Sequence, residues 1–159
     1  MNNFQATIKR EISLEGIGLH TGNYSKLTFR PAPANTGIRF FRSDLPGTPM
    51  IPARLHFVVT TVRGTNLGLN EAKVHTIEHV LSACTGVGLD NVDVLLTANE
   101  PPILDGSSLP FVKALLDAGL EYFPDAPKRW LNIPHEVTYT DGRAKYKATP
   151  AKRFEIKAT

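Results

Sequence analysis

Residues 75–86 read His75-Thr76-Ile77-Glu78-His79-Val80-Leu81-Ser82-Ala83-Cys84-Thr85-Gly86, and the fold follows from how this stretch is placed. At 100° per residue, Ile77, Val80, Leu81 and Cys84 gather within about 100° of one another, while His75, Glu78, His79 and Ser82 share the opposite side. The spacing predicts a short helix with one packing face and one reactive face. Gly86 is expected to end it as a left-handed cap, with Gly88 and Asp90-Asn91 opening the turn beyond. Asn91 to Thr97 then reads as a buried strand. A second helix follows, with Leu109, Val112, Leu115 and Leu116 as its apolar stripe, Ser107 or Ser108 as its cap and Gly119 at its end. Helix, strand, helix after several strands predicts an α+β fold: a two-layer sandwich of a mainly antiparallel sheet with two helices.

Working back towards the start, residues 6–15 alternate, with Ile8, Ile12 and Leu14 on one face, as a half-buried strand does. Gly16-Ile17-Gly18-Leu19-His20-Thr21-Gly22 is a glycine-rich turn that presents His20 on a loop. Tyr24 to Arg30 alternates again with Leu27 and Phe29 inward, the prolines of residues 31–37 break the ladder, and Ile38 to Arg42 resumes it. Ala53 to Thr61 reads as a short strand, and residues 63–69 and 73–75 as hairpin arms around Asn70-Glu71-Ala72. Working forward, Pro124 to Lys128 reads as a linker. Residues 129–139 and 143–147 alternate around Asp141-Gly142, a hairpin signal, and Phe154-Glu155-Ile156 as the beginning of a third strand. The expected organisation is a first α+β domain over 1–126 and, over 127–159, a linker and strands too few to bury a core alone, which either dock on the first domain or are the opening strands of an incomplete second domain.

With 159 residues, 42% hydrophobic and 21% charged, the chain suits one globular domain with a small appendage. The net charge of +3 is spread along the chain, which suits at most a mild preference for anionic ligands and gives no nucleic-acid-binding footprint. No stretch approaches membrane-spanning length, Met1 to Gln5 lacks a signal-like pattern, and the one cysteine, Cys84, sits on the packing face of the helix; the expected location is the cytoplasm.

The chemistry concentrates on the helix. Glutamate beside histidine is a zinc-enzyme pairing, in which an imidazole ligates the metal and a carboxylate takes a proton from the attacking water. The plain alternatives are a solvated His-rich face here, a simple β-turn at His20 and a capping aspartate at Asp105 just before the second helix. Residues 75–79 also spell H-x-x-E-H, the inverted zinc-peptidase motif, in which both histidines ligate and Glu155 or Glu100 would supply a third ligand.

Five segments in order carry a resemblance to a known family: Gly16 to Gly22, Phe29 to Gly37, Thr76-Ile77-Glu78-His79, Gly88-Leu89-Asp90-Asn91, and Pro102-Ile103-Leu104-Asp105-Gly106-Ser107-Ser108. The chain resembles the N-terminal part of UDP-3-O-acyl-N-acetylglucosamine deacetylase, the zinc-dependent amide hydrolase of lipid A biosynthesis in Gram-negative bacteria. The resemblance implies a cofactor, Zn2+, and a substrate, the UDP-linked acylated amino sugar. It implies Glu78 as general base, His79 as a zinc ligand, and His20 and Asp105 near the reaction centre, with two similar domains whose helices face each other. The family's other zinc ligands, in a His-Lys-x-x-Asp motif of the second domain, have no counterpart here, since no histidine of this chain has an aspartate four residues on. The chain alone is therefore expected to be inactive, as a part of the deacetylase or a non-catalytic binding module derived from it.

Overall fold

The alternation around Leu27 and Phe29 sets the main sheet. A computed structural model describes residues 3–159. In it β3 (Tyr24–Pro31) pairs on one side with β2 (Ile12–Ile17) and on the other with β9 (Val92–Leu96), both antiparallel. Leu27 stands opposite Leu96 and Phe29 opposite Val94, so one face of the pair is continuously apolar, and all four are fully buried. β4 (Ile38–Arg42) runs parallel to β9 and carries β5 (Met50–Pro52), giving the order β2-β3-β9-β4-β5. A second, three-stranded sheet joins β6 (Val58–Thr60), β7 (Asn66–Leu69) and β8 (Ala72–Val74). Helices α1 (Glu78–Gly86) and α2 (Leu109–Ala118) pack against each other. One cluster unites Val80, Ala83 and Cys84 of α1, Phe111 and Leu115 of α2, and Phe29, Phe40 and Val94 of the main sheet. Phe29 and Phe111 meet edge to face at 6.4 Å between ring centres. This is the expected α+β sandwich.

Several local readings are corrected. Residues 6–15 are two strands, not one: β1 (Phe4–Ile8) pairs with β10 (Leu120–Pro127), while β2 joins the main sheet. Gln5 to Ile8 are all buried, so β1 does not alternate, and the apparent period ran across the break at Lys9–Glu11. Pro124 to Lys128 is not a free linker. Its prolines sit in β10, where the register jumps from Ala6↔Tyr122 to Phe4↔Pro127, and an irregular edge pairing tolerates residues that cannot donate. Residues 53–61 divide into a 3₁₀ turn at Leu55–Phe57 and the short β6. The stripe of α2 is Phe111, Ala114, Leu115 and Ala118, leaving Leu109 and Leu116 exposed. Both sets obey the helical period, and the set holding the large Phe111 ring is the one turned inward.

The Gly88-to-Asn91 segment is a structural knot. Asp90 Oδ2 accepts from the Ala6 amide (2.8 Å) and from Lys128 Nζ (2.8 Å), while Asn91 donates to Gln5 Oε1 and accepts from the Gly37 amide. It ties β1 and the turn at Gly37 to the end of the first helix.

The chain divides into two compact units, the first ending at Lys128 and the second spanning Arg129–Thr159. In the second unit β11 (Val137–Asp141) and β12 (Ala144–Ala148) form the expected hairpin, with Gly142 in its two-residue loop at φ +57°. Phe154 to Ile156, expected as a third strand, is coil with Phe154 and Ile156 exposed. An extended segment gains strand character only when a neighbouring strand pairs with it.

Candidate active site

α1 begins at Glu78, three residues later than the apolar period suggested, and the cause is Thr76. Its backbone lies at φ +53°, a left-handed conformation that a β-branched residue adopts at a cost of about 1–3 kcal/mol, so a helix cannot run through it. Three bonds hold it there. The Thr76 amide donates to Asn66 Oδ1 (3.0 Å), its hydroxyl donates to Glu100 Oε1 (2.6 Å), and the next amide, Ile77, donates to the Thr65 carbonyl (3.1 Å). The chain thus enters α1 through a fixed junction.

Glu78, the first helical residue, is fixed by the same neighbour: its Oε2 accepts from the Thr65 amide at 3.0 Å. Gly64 lies beneath, where a Cβ would come within 3.3 Å of Glu78 Oε1 and 3.4 Å of Thr76 Oγ1. Glu78 is half-buried, and its Oε1 accepts no hydrogen bond from the described residues, which leaves it free to take a proton. His79 follows, also half-buried, and its carbonyl accepts from Ser82 Oγ (3.0 Å), which shares a further hydrogen bond with Ser108 Oγ at the start of α2.

His20 is exposed on the turn between β2 and β3, and that turn is anchored by a residue eighty positions away. Glu100 is fully buried, and its carboxylate accepts from the His20 amide (3.0 Å), the Thr21 amide (2.9 Å), the Thr21 hydroxyl (2.9 Å) and the Thr76 hydroxyl (2.6 Å). Burial works to raise its pKa, but the hydrogen bonds from Thr76, Thr21 and His20 outweigh it and hold the carboxyl below its ordinary range. Gly18 makes room, because a Cβ there would sit 2.6 Å from Glu100 Oε2. Sequence reasoning placed Glu100 only as a possible metal ligand. Every donor around it is a neutral protein group, and both oxygens are occupied. Its sequence signal was a lone acid between Ala98 and Pro101-Pro102, all three buried.

His75 precedes the helix, and the face it was expected to share with Glu78, His79 and Ser82 does not exist, because Thr76 breaks the period. Its amide donates to the Asn99 carbonyl (2.8 Å), and burial lowers the imidazole pKa against the opposing pull of nearby Glu100. The one-face geometry of the H-x-x-E-H reading is absent. Asp105 is exposed, and its Oδ1 accepts from the amide (2.9 Å) and hydroxyl (2.8 Å) of Ser107, which lower its pKa. Its local role is therefore a turn. Ser107 Oγ in turn accepts from the Leu109 amide, so Asp105 braces the start of α2. A polar cleft of ≈ 400 Å³, bordered by Asn23, Tyr24, Arg42, Asp44, Thr97, Ala98 and Asn99, does not include Glu78 or His79.

Among the described residues no group of three or more His, Cys, Asp or Glu side chains is placed to hold a metal ion. Catalytic zinc takes three protein ligands and keeps one open position, so the residues present do not by themselves make a zinc centre.

Glu78 and His79 stand side by side at the start of α1, a carboxylate and an imidazole of the kinds that hydrolytic centres use. The profile of the UDP-3-O-acyl N-acetylglycosamine deacetylase (LpxC) family matches residues 5–159, and the chain belongs to that family. It is 45% identical over 152 residues to UDP-3-O-acyl-N-acetylglucosamine deacetylase of Pseudomonas entomophila, covering 96% of this chain and 50% of that protein. It is 50% identical over 135 residues to the bifunctional enzyme LpxC/FabZ of Chlorobaculum tepidum, covering 85% of this chain and 29% of that protein. The chain thus spans half or less of the length of these relatives.

Proposed function

We propose that this chain is the first domain, and the opening strands of the second, of a deacetylase that removes the N-acetyl group of UDP-3-O-acyl-N-acetylglucosamine in lipid A biosynthesis, in the cytoplasm of a Gram-negative bacterium. The observation that carries the reading is the anchored Glu78: one oxygen accepts from the Thr65 amide, the other accepts from no described residue, and the helix begins there because of the left-handed Thr76. Family membership supports the substrate class. In this reading Glu78 takes a proton from the water that attacks the acetyl carbonyl, and His79 is a zinc ligand beside it. His20, on its anchored turn, and Asp105, just before α2, belong to the neighbourhood of the reacting groups. The other ligands of the zinc belong to the second domain of the complete protein.

The test is Glu78→Gln in the complete protein. The amide keeps shape and removes the base, so activity is expected to fall about 10²- to 10⁴-fold with zinc content unchanged. Loss of zinc together with activity would make Glu78 a ligand and overturn its assignment as base.

A further inference from the structure

A buried carboxylate with no cationic partner needs a reason. Glu100 is fully buried, and none of the ion pairs among the described residues includes it. Four neutral donors converge on it from two segments that lie far apart in sequence: His20 and Thr21 of the β2–β3 turn, and Thr76 of the junction into α1. The turn presents His20, and the junction presents Glu78 and His79. A glutamine would satisfy this arrangement badly, because its NH2 would face either two backbone N–H groups on one side or the His20 amide and Thr76 hydroxyl on the other. The hydroxyls can rotate, but the amides cannot. Gly18 is shaped around the same carboxylate, with space for Oε2 that a Cβ would fill.

We propose that Glu100 is a positioning residue: its ionised carboxylate fixes the separation of the His20 turn from the Thr76 junction, and so the placement of His20 relative to Glu78 and His79. The catalytic meaning rests on the functional reading above; the mechanical part does not. Removing an acceptor here frees the turn at its anchor while removing no side chain of the apolar core.

Two measurements separate the parts. Hydrogen exchange on this 159-residue chain carrying Glu100→Gln is expected to speed the His20 and Thr21 amides about tenfold or more, with amides of β3 and β9 still protected. Unchanged exchange at His20 and Thr21 would overturn the proposal, and so would uniform loss of protection in the milder Thr76→Ala variant, which removes one hydroxyl and makes Glu100 part of general stability. In the complete protein, Glu100→Gln is expected to lower kcat about 10- to 100-fold with KM nearly constant, as misplacement of catalytic groups does, and Thr76→Ser is expected to retain more kcat than Thr76→Ala. A rise in KM alone, or no change in kcat, would overturn the positioning role. Absence of deacetylase activity in the unsubstituted complete protein would sink the functional reading, with the exchange result still deciding the mechanical one.

Discussion

Thr76 sets the site at the scale of single residues. Its left-handed backbone separates His75 from the helix that carries Glu78 and His79, so the two histidines four positions apart do not share a face. In the complete protein His79→Ala is expected to weaken zinc binding strongly. His75→Ala should change it by less than about tenfold, the lower edge of what neighbours of a ligand contribute. Zinc retained after dialysis against a competing chelator reports both, and equal severe loss would restore the peptidase-like pairing. Cys84 gives a second expectation: burial pushes its thiol up to about 12 and it is fully enclosed, so a thiolate-selective alkylating reagent at pH about 8 should leave the native chain unmodified and label it only after denaturation. Labelling at the rate of a free thiol would show that the helix opens readily. The candidate pair Glu78 and His79 was visible in the sequence because residue type and adjacency define it, and buried Cys84 because it lies on the apolar stripe of α1. The role of Glu100 was not, since its partners His20, Thr21 and Thr76 come together only through tertiary closure. The break at Thr76 had no local signal either, because threonine is an unusual choice for positive φ.

At the scale of elements, α1 shows how a cap is misplaced by two residues. Leu89 donates to the Cys84 carbonyl (2.9 Å) and Gly88 to the Thr85 carbonyl (3.0 Å), the paired bonds of a Schellman ending, and Gly88 takes the left-handed φ of +74°. Leu89 is buried, as this motif favours for the residue that follows its glycine. Gly86 is the last helical residue and has open space around its missing Cβ. The two glycines should therefore respond oppositely to alanine. Gly86→Ala is expected to stabilise the chain by about 0.5–1 kcal/mol, by lowering the backbone entropy lost in a helix. Gly88→Ala is expected to destabilise it by about 1 kcal/mol through strain alone. Denaturant midpoints at constant slope measure both, and the same sign for the two would refute the cap assignment. Elements with one buried face, such as β3, were legible from alternation. β1, buried on both faces, and β10, with prolines at an irregular edge, carry no such period.

At the scale of the whole molecule, the apolar cluster is drawn entirely from residues 8–120, within the first unit, whereas the second unit exposes Trp130, Leu131, Phe154 and Ile156. A two-stranded hairpin has too little apolar burial to be stable by itself, and the pairing of Tyr139 with Tyr146 across it, at 6.1 Å between rings, adds only a modest cross-strand contact. The stable unit is therefore the one that holds Glu78 and His79. Stability of that unit does not complete a hydrolytic centre, because zinc held by one imidazole would exchange with solvent and competing ligands, and catalytic zinc normally needs three protein donors. Purified residues 1–159, supplied with zinc and UDP-3-O-acyl-N-acetylglucosamine, are accordingly expected to fold but not to release acetate measurably above background. The assay is acetate release against a complete relative as positive control, with circular dichroism to establish that the chain is folded. Turnover comparable to that control would mean that this chain assembles its metal site from its own residues, for instance by pairing two copies, and the assignment of the missing ligands to the second domain would fall.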